Sequence, residues 1–349
     1  MSEAFRQRIL EGQPLCIRGG GSKDFYGGPR LGNVLDTRGH AGTVNYEPTE
    51  LVVTARCGTL MADLEGELAG CQQFLPFEAP DFSGTATIGG AVAAGLSGPR
   101  RAAVGALRDF VLGVTIMDGN GRTLKFGGEV MKNVAGYDVS RLLAGSLGTL
   151  GVILDVSLKV LPVPLGDATL CLTASETEAL ELMNRWAAQP LPIVATCWHE
   201  GTLWVRLAGA TAAVVAAQKI LGGETKVGAD GTAAAAIWNT LRHQHHEFFC
   251  GDAPLWRLSL PSTTPALKLG PTLIEWGGSQ RWLRGDLEAA TVRECAALAG
   301  GHATLFRGGD KANGVFAPLS PAVMAIHRRL KAQFDPHGIF NRGRLTPDF

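Results

Sequence analysis

The sequence predicts an α+β protein with two folded domains. Short strand-like runs and short helices alternate through its first half, separated by glycine turns instead of the regular strand–helix–strand spacing of a doubly wound sheet. From Val152 to Val160 the alternation is clean: Val152, Leu154, Val156, Leu158 and Val160 share one face, and Asp155, Ser157 and Lys159 the other. That is the period of a half-buried antiparallel strand. The stretch Leu161-Pro162-Val163-Pro164-Leu165-Gly166 then breaks the pattern, and all seven tryptophans, from Trp186 to Trp282, follow it. With 349 residues and 46% hydrophobic content there is enough chain for two cores. The first domain is expected over 1–165 and a second, also α+β, over 166–319.

The elements follow from local pattern. Pro14 to Ile17 is a short apolar strand, and Leu51 to Ala55 another. Thr59 is placed to cap a helix in which Leu60, Leu64 and Leu68 recur every fourth position before Gly70 stops it. Phe110 to Met117 and Arg122 to Phe126 read as two strands joined by the turn Asp118-Gly119-Asn120-Gly121. Beyond the boundary, Thr202 to Leu207 is strand-like and Ala210 to Leu221 helical. Ser320 and Pro321 open a last helix with Val323, Met324, His327, Leu330 and Phe334 on one face.

Three glycine-dense blocks lie along the first half: Ile17-Arg18-Gly19-Gly20-Gly21-Ser22, Ala86-Thr87-Ile88-Gly89-Gly90 and Gly145-Ser146-Leu147-Gly148-Thr149-Leu150-Gly151. The first leaves a strand through residues without Cβ, so consecutive amides aim at one concavity, an arrangement that binds anions and admits a bulky diphosphate. Taken alone it reads equally as an ordinary turn, and Thr87 to Gly90 equally as helix-on-sheet packing; the series of three favours a cofactor cradle. A Rossmann fingerprint is excluded, because Ser22 to Pro29 has no helical periodicity, and no P-loop string occurs.

These residues resemble the flavoproteins with a vanillyl-alcohol-oxidase-type (PCMH-type) FAD-binding domain, and among them the FAD-binding subunits of bacterial glycolate oxidase. The resemblance implies that Arg18, Gly19, Gly20, Gly21 and Ser22 hold the FAD pyrophosphate. It implies that Pro80, Asp81, Thr87, Gly89 and Gly90 run beside the diphosphate and flavin, with Gly95, Ser97, Gly98 and Arg101 continuing that segment and Asp109 opening the next strand. Lys132-Asn133-Val134-Ala135-Gly136-Tyr137-Asp138, leading into Gly148, Gly151, Val152 and Ile153, matches the family's closing block. The tail Phe334-Asp335-Pro336-His337-Gly338-Ile339-Phe340-Asn341 matches a C-terminal return over 320–349, with Asn341 at the flavin. Where many relatives have Asn-Pro-Gly, this chain has Asn341-Arg342-Gly343; Arg342 and Arg344 read as solvated charges. Relatives that attach FAD covalently carry His where Ser22 stands, so the resemblance implies non-covalent FAD.

Charge and cysteine usage narrow the function further. Lys plus Arg equals Asp plus Glu at 32 each, which leaves no basic footprint for nucleic acid. Apolar runs such as Ile88 to Leu96 stop near nine residues, whereas a spanning helix needs about 20. The start lacks the apolar core of a signal peptide, and we expect a cytoplasmic protein, peripheral to the inner membrane only through partners. The seven cysteines are dispersed, with no C-x-x-C, so no iron–sulfur cluster is built in. His243-Gln244-His245-His246-Glu247 would set His243 and Glu247 on one helix face, but a metal needs three or four converging ligands and no second His/Cys cluster is visible. We expect no metal.

By resemblance, the chain oxidises glycolate or a similar 2-hydroxy acid in a complex with a larger FAD-containing subunit and an iron–sulfur subunit. Oxidising a 2-hydroxy acid needs a base for the hydroxyl proton and a cation for the carboxylate. His245, His246, Arg257 and Arg307 have the chemistry; spacing assigns none of them, so the catalytic residues stay open. A self-sufficient 2-hydroxy-acid dehydrogenase and a non-catalytic scaffold are the alternatives. The Trp- and Arg-rich stretch from Leu255 to Arg284 reads either as an interface or as core.

Overall fold

A computed structural model describes residues 1–128, 138–225, 232–312, 314–347 and 349. Lys132 to Tyr137 of the expected closing block lie outside the described residues. The chain forms two compact units, Met1–Leu96 with Ala106–Pro162 and Gly314–Phe349, and Ser97–Gly105 with Val163–Asn313. One division of the units follows Pro162. Two boundaries differ from expectation: the C-terminal return begins at Gly314, and the short piece Ser97–Gly105 belongs with the second unit. Its reason is a local one, for Trp276 Nε1 donates to Gly98 O at 3.0 Å and the Arg101 guanidinium lies 4.5 Å over the Trp276 ring.

The first unit is built on a five-stranded antiparallel sheet. In spatial order its strands are Thr43–Glu47, Val52–Arg56, Val152–Lys159, Val111–Met117 and Thr123–Gly127. The strand Val152–Lys159 is central, and this changes the fate of its polar face: Ser157 is buried and hydrogen-bonded to Thr54 across the ladder at 2.8 Å. On that face Asp155 and Lys159 stay partly exposed, and Ser157 is tolerated in burial because it is paired. A small parallel pair, Leu15–Arg18 with Asn33–Asp36, is extended by a bridge from Leu15 to Phe340 of the tail. Phe5, Ile9, Leu15, Met117, Val152, Leu154, Ile339 and Phe340 form one apolar cluster, so both chain ends are fastened to the sheet by the same core.

Two helix ends correct the sequence reading. The helix Met61–Gly70 buries Leu64 and Leu68, but its N-cap is Leu60, and it runs through Gly70 to a cap at Cys71. Thr59 instead accepts the Gly42 amide at Oγ1, 2.9 Å away, so its hydroxyl ties down a neighbouring turn. The last helix, Pro321–Phe334, is capped as predicted by Ser320, which accepts the Val323 amide at 3.4 Å. Its expected apolar face is not sunk into a core: Val323 is 40% exposed, and the buried residue of this helix is Lys331.

The second unit is an eight-stranded antiparallel sheet ordered Glu224–Thr225, Gly166–Thr173, Thr202–Gly209, Ile193–His199, Thr272–Glu275, Gln280–Arg284, Leu255–Ser259 and His302–Arg307. Helix Glu176–Ala187 starts in a capping box, with Ser175 and Glu178 exchanging bonds at 3.3 and 2.9 Å. It packs with Thr211–Leu221 over Leu203, Val205 and Leu207, while Ala289–Leu298 covers Trp256 and Leu258 at the other end. Trp256 and Trp282 are buried, and Arg281 is enclosed with its guanidinium on the carbonyls of Thr264, Pro265 and Gly278. The Trp–Arg stretch is thus largely core.

Candidate cofactor site

A cleft in the first unit opens to solvent and is lined by residues of all three glycine blocks. The first glycine block forms one wall. The strand Leu15–Arg18 delivers the chain into Gly19–Ser22, whose backbone N–H groups donate to no described residue. Thr87 closes the opposite side as N-cap of the helix Ile88–Ala94, accepting the Gly90 amide at 3.3 Å, and Gly89 and Gly90 face the same space. Gly148, Gly151 and Ile153 supply the third wall and Asn341 the floor.

Close backbone approach explains the glycines. A Cβ on Gly20 would stand 1.5 Å from the Thr85 carbonyl oxygen, which leaves no room for any side chain. Gly148 combines φ of +73° with the Asn341 side chain 2.6 Å from where its Cβ would lie. That asparagine is a clamp between two blocks: its Oδ1 accepts the Ile17 amide at 2.6 Å and its Nδ2 donates to Leu147 O at 2.6 Å.

Cations ring the glycine turn. Asp24 is their hub, taking Arg18 at 2.8 Å and Arg30 at 2.7 Å, and this contact raises the Arg18 pKa. Lys23 and Arg344 also line the cleft. Arg344, expected in solvent, is buried and donates to the carbonyls of Asp24 at 3.2 Å, Gly28 at 2.6 Å and Tyr26. Arg342 does remain exposed, on the carbonyls of Gly338 and His337. Unpaired amides, a cationic rim and a wall that no Cβ could occupy together fit the diphosphate of a dinucleotide.

The structure gathers Arg18, Gly19, Gly20, Gly21, Ser22, Thr87, Gly89, Gly90, Gly148, Gly151, Ile153 and Asn341 around this cleft. It places the other expected residues elsewhere. Val152, one position before Ile153, turns its side chain into the core, because successive strand residues face opposite sides. Asp81 accepts the Ala86 amide at 3.1 Å on both oxygens and shapes the approach to Thr87, next to buried Pro80. Gly95 is the left-handed C-cap of the helix Ile88–Ala94. Ser97, Gly98 and Arg101 lie in the second unit. Asp109 accepts the Ala106 amide at 2.8 Å and shapes the turn before Val111–Met117. Sequence reading missed Lys23, Asp24, Arg30, Thr37, Cys16, Cys57 and Arg344. The one available signal was the charge run Arg18, Lys23, Asp24 and Arg30 around the glycines.

Cys16 and Cys57 line the cleft as buried thiols. Burial pushes the Cys57 thiol up to about 12 and raises Cys16 as well. Since alkylation requires the thiolate, iodoacetamide at pH 8 is expected to label exposed Cys71 and Cys250 in the native protein and to leave Cys57 unmodified. Peptide mapping by mass spectrometry checks this; rapid native labelling of Cys57 would contradict it.

His243 and Glu247 do not share one helix: the α-helix ends at Arg242, and Glu247 opens the short 3-10 turn Glu247–Phe249. The fold does bring a distant residue to it: ligand atoms of His199, His246 and Glu247 lie within 4.8 Å of one another. His246 Nδ1 already accepts the Phe248 amide at 3.2 Å, and burial lowers the pKa of both imidazoles. Among the described residues no helix is long and apolar enough to cross a membrane.

Comparison with known proteins gives the same fold and narrows the family. Residues 3–127 match the family model described as "FAD binding domain". Alkyldihydroxyacetonephosphate synthase superposes with a TM-score of 0.68 at 15% identity, over 97% of this chain and 73% of that one, a likeness of fold. Glycolate oxidase subunit GlcD of Bacillus subtilis is 31% identical over 160 residues, 45% of this chain and 34% of that protein. Glycolate oxidase subunit GlcE of Escherichia coli K12 is 48% identical over 344 residues, 98% of this chain and 95% of that protein. The PCMH-type α+β expectation and the family resemblance both hold, and the chain belongs to the family of glycolate oxidase subunit GlcE.

Proposed function

We propose that this chain is the FAD-binding subunit of a glycolate oxidase complex that converts glycolate to glyoxylate. The observation that carries the reading is the match to the Escherichia coli GlcE subunit along nearly the whole of both chains, joined to a cleft built for a dinucleotide. The Gly19–Ser22 amides, with Arg18, Lys23 and Arg30 around them, would hold the diphosphate; Thr87 to Gly90, Gly148 and Asn341 would bound the rest of the cofactor. FAD, when bound, supplies the two-electron chemistry, and the protein supplies binding, orientation and a set electrostatic field. Ser22 offers no imidazole for attachment, so FAD binds non-covalently and leaves with acid precipitation.

The partners are a larger FAD-containing subunit and an iron–sulfur subunit that takes electrons onward, and the dispersed cysteines of this chain fit that division. The test is the visible spectrum of the purified chain under anaerobic conditions, before and after adding glycolate, then with the partner subunits. A flavin band that persists with glycolate alone and bleaches when the partners are added is the expected result. Bleaching by glycolate alone would make the chain a self-sufficient dehydrogenase, and a colourless chain that takes up no FAD would leave only a scaffold.

A further inference from the structure

The walls of the cleft come from three segments well separated in sequence and its floor from the tail, and one buried side chain ties the third wall to that tail. Lys331, on the last helix, is 5% exposed. Its ammonium donates to Thr149 O at 2.7 Å, to Phe340 O at 2.9 Å and to Asp335 Oδ2 at 2.7 Å. Those three acceptors use all three of its protons. Asp335, itself enclosed, accepts the Ile339 amide at 3.0 Å and the Phe340 amide at 2.8 Å. The ammonium thus stands between the carbonyl that follows Gly148 and the carbonyl that precedes Asn341. Burial pulls its pKa down while Asp335 pulls it up.

From this geometry we propose that Lys331 is a positioning residue for the cofactor: it holds the Gly148–Gly151 turn and the tail at one separation, and so sets where Asn341 stands in the cleft. The proposal rests on the FAD reading of the cleft. Lys331 reaches the site only through backbone, since it does not line the cleft itself. Asn341 is the element that transmits the constraint, because its amide spans Ile17 N and Leu147 O and cannot reach both if the tail shifts. A side chain that only filled the core would have no reason to place all its protons on these two segments.

The experiment is FAD titration of the deflavinated full-length chain, followed by flavin fluorescence well below the unfolding temperature, for wild type, Lys331→Met, Lys331→Arg, Asn341→Ala and the double variant Lys331→Met/Asn341→Ala. Lys331→Met is expected to weaken FAD at least about tenfold, Lys331→Arg to recover part of the loss, and the double variant to bind no worse than the weaker single one, since both act on one clamp. If Lys331→Met does not fold, the same comparison is made with Lys331→Arg alone and combined with Asn341→Ala. Unchanged FAD affinity in a folded Lys331 variant, or losses that add in the double variant, would overturn the positioning role. Failure of the wild-type chain to bind FAD would overturn the cofactor reading itself, a distinct result.

Discussion

Gly20→Ala is expected to abolish FAD retention and to destabilise the first unit. The methyl group would fall 1.5 Å from the Thr85 carbonyl oxygen, and both partners are backbone, so no rotamer change relieves the clash. Thr85 is held in turn, its hydroxyl donating to Gly20 O at 2.9 Å. The two segments must separate, and forcing a side chain into a closed contact of this kind costs about 3 kcal/mol. Separation also misaims the amides of Gly19–Ser22. Losing two charge-assisted hydrogen bonds, at about 1.5–3 kcal/mol each, weakens an anionic ligand by roughly a hundredfold or more. Gly66→Ala is the control: nothing lies within 4 Å of its added Cβ, it sits inside a helix, and it should stabilise by about 0.5–1 kcal/mol. Denaturation midpoints and FAD titrations of the two variants decide the matter. A Gly20→Ala protein that retains flavin would show that the loop is not the cradle.

Arg344→Met should cost nearly as much stability, in spite of lying five residues from the end of the chain. Its guanidinium satisfies carbonyls of Asp24, Tyr26 and Gly28, and burial lowers its pKa because the charge has little water around it. The substitution leaves those carbonyls facing an apolar side chain, at about 1–3 kcal/mol for each one that water cannot reach. We expect a loss of about 2–4 kcal/mol in chemical denaturation and weaker FAD binding, since the loop carrying Lys23 and Asp24 loses its anchor. Arg342→Met, two residues earlier and exposed, should be within about 0.5 kcal/mol of wild type. Equal effects of the two substitutions would mean that the tail does not clamp this loop.

These two arginines show where sequence reading stops. Arg342 and Arg344 sit in the same polar context, and nothing in their spacing tells which one turns inward. The choice was made by the bridge from Leu15 to Phe340, which lays the tail beside the first strand, and by the turn that follows, where Arg344 N donates to Asn341 O and Arg344 O accepts the Gly28 amide, seating Arg344 against the loop 24–28. His199 is a similar case: it lies more than forty residues before His246, and only the strand Ile193–His199 brings the two rings to a centroid distance of 5.3 Å. Lys331 carries no signal in the sequence, and its burial depends on Thr149 O and Phe340 O from other segments together with Asp335 at the cap of its own helix.

What the sequence determined by itself is what short-range chemistry can encode. Glycines without Cβ marked the three walls of the cleft, hydrophobic alternation marked the strands, and Ser320 with Pro321 marked the last helix; each of these signals acts over a few residues. The order of the glycine blocks carried the family resemblance, and with it the FAD expectation. The tertiary structure alone decided which face of a strand meets the cleft, as between Val152 and Ile153, to which unit Ser97–Gly105 belongs, and which charges are buried. The reason is energetic: a charge or a carbonyl is buried only where partners from distant segments compensate its lost hydration, and those partners meet only once the chain has closed.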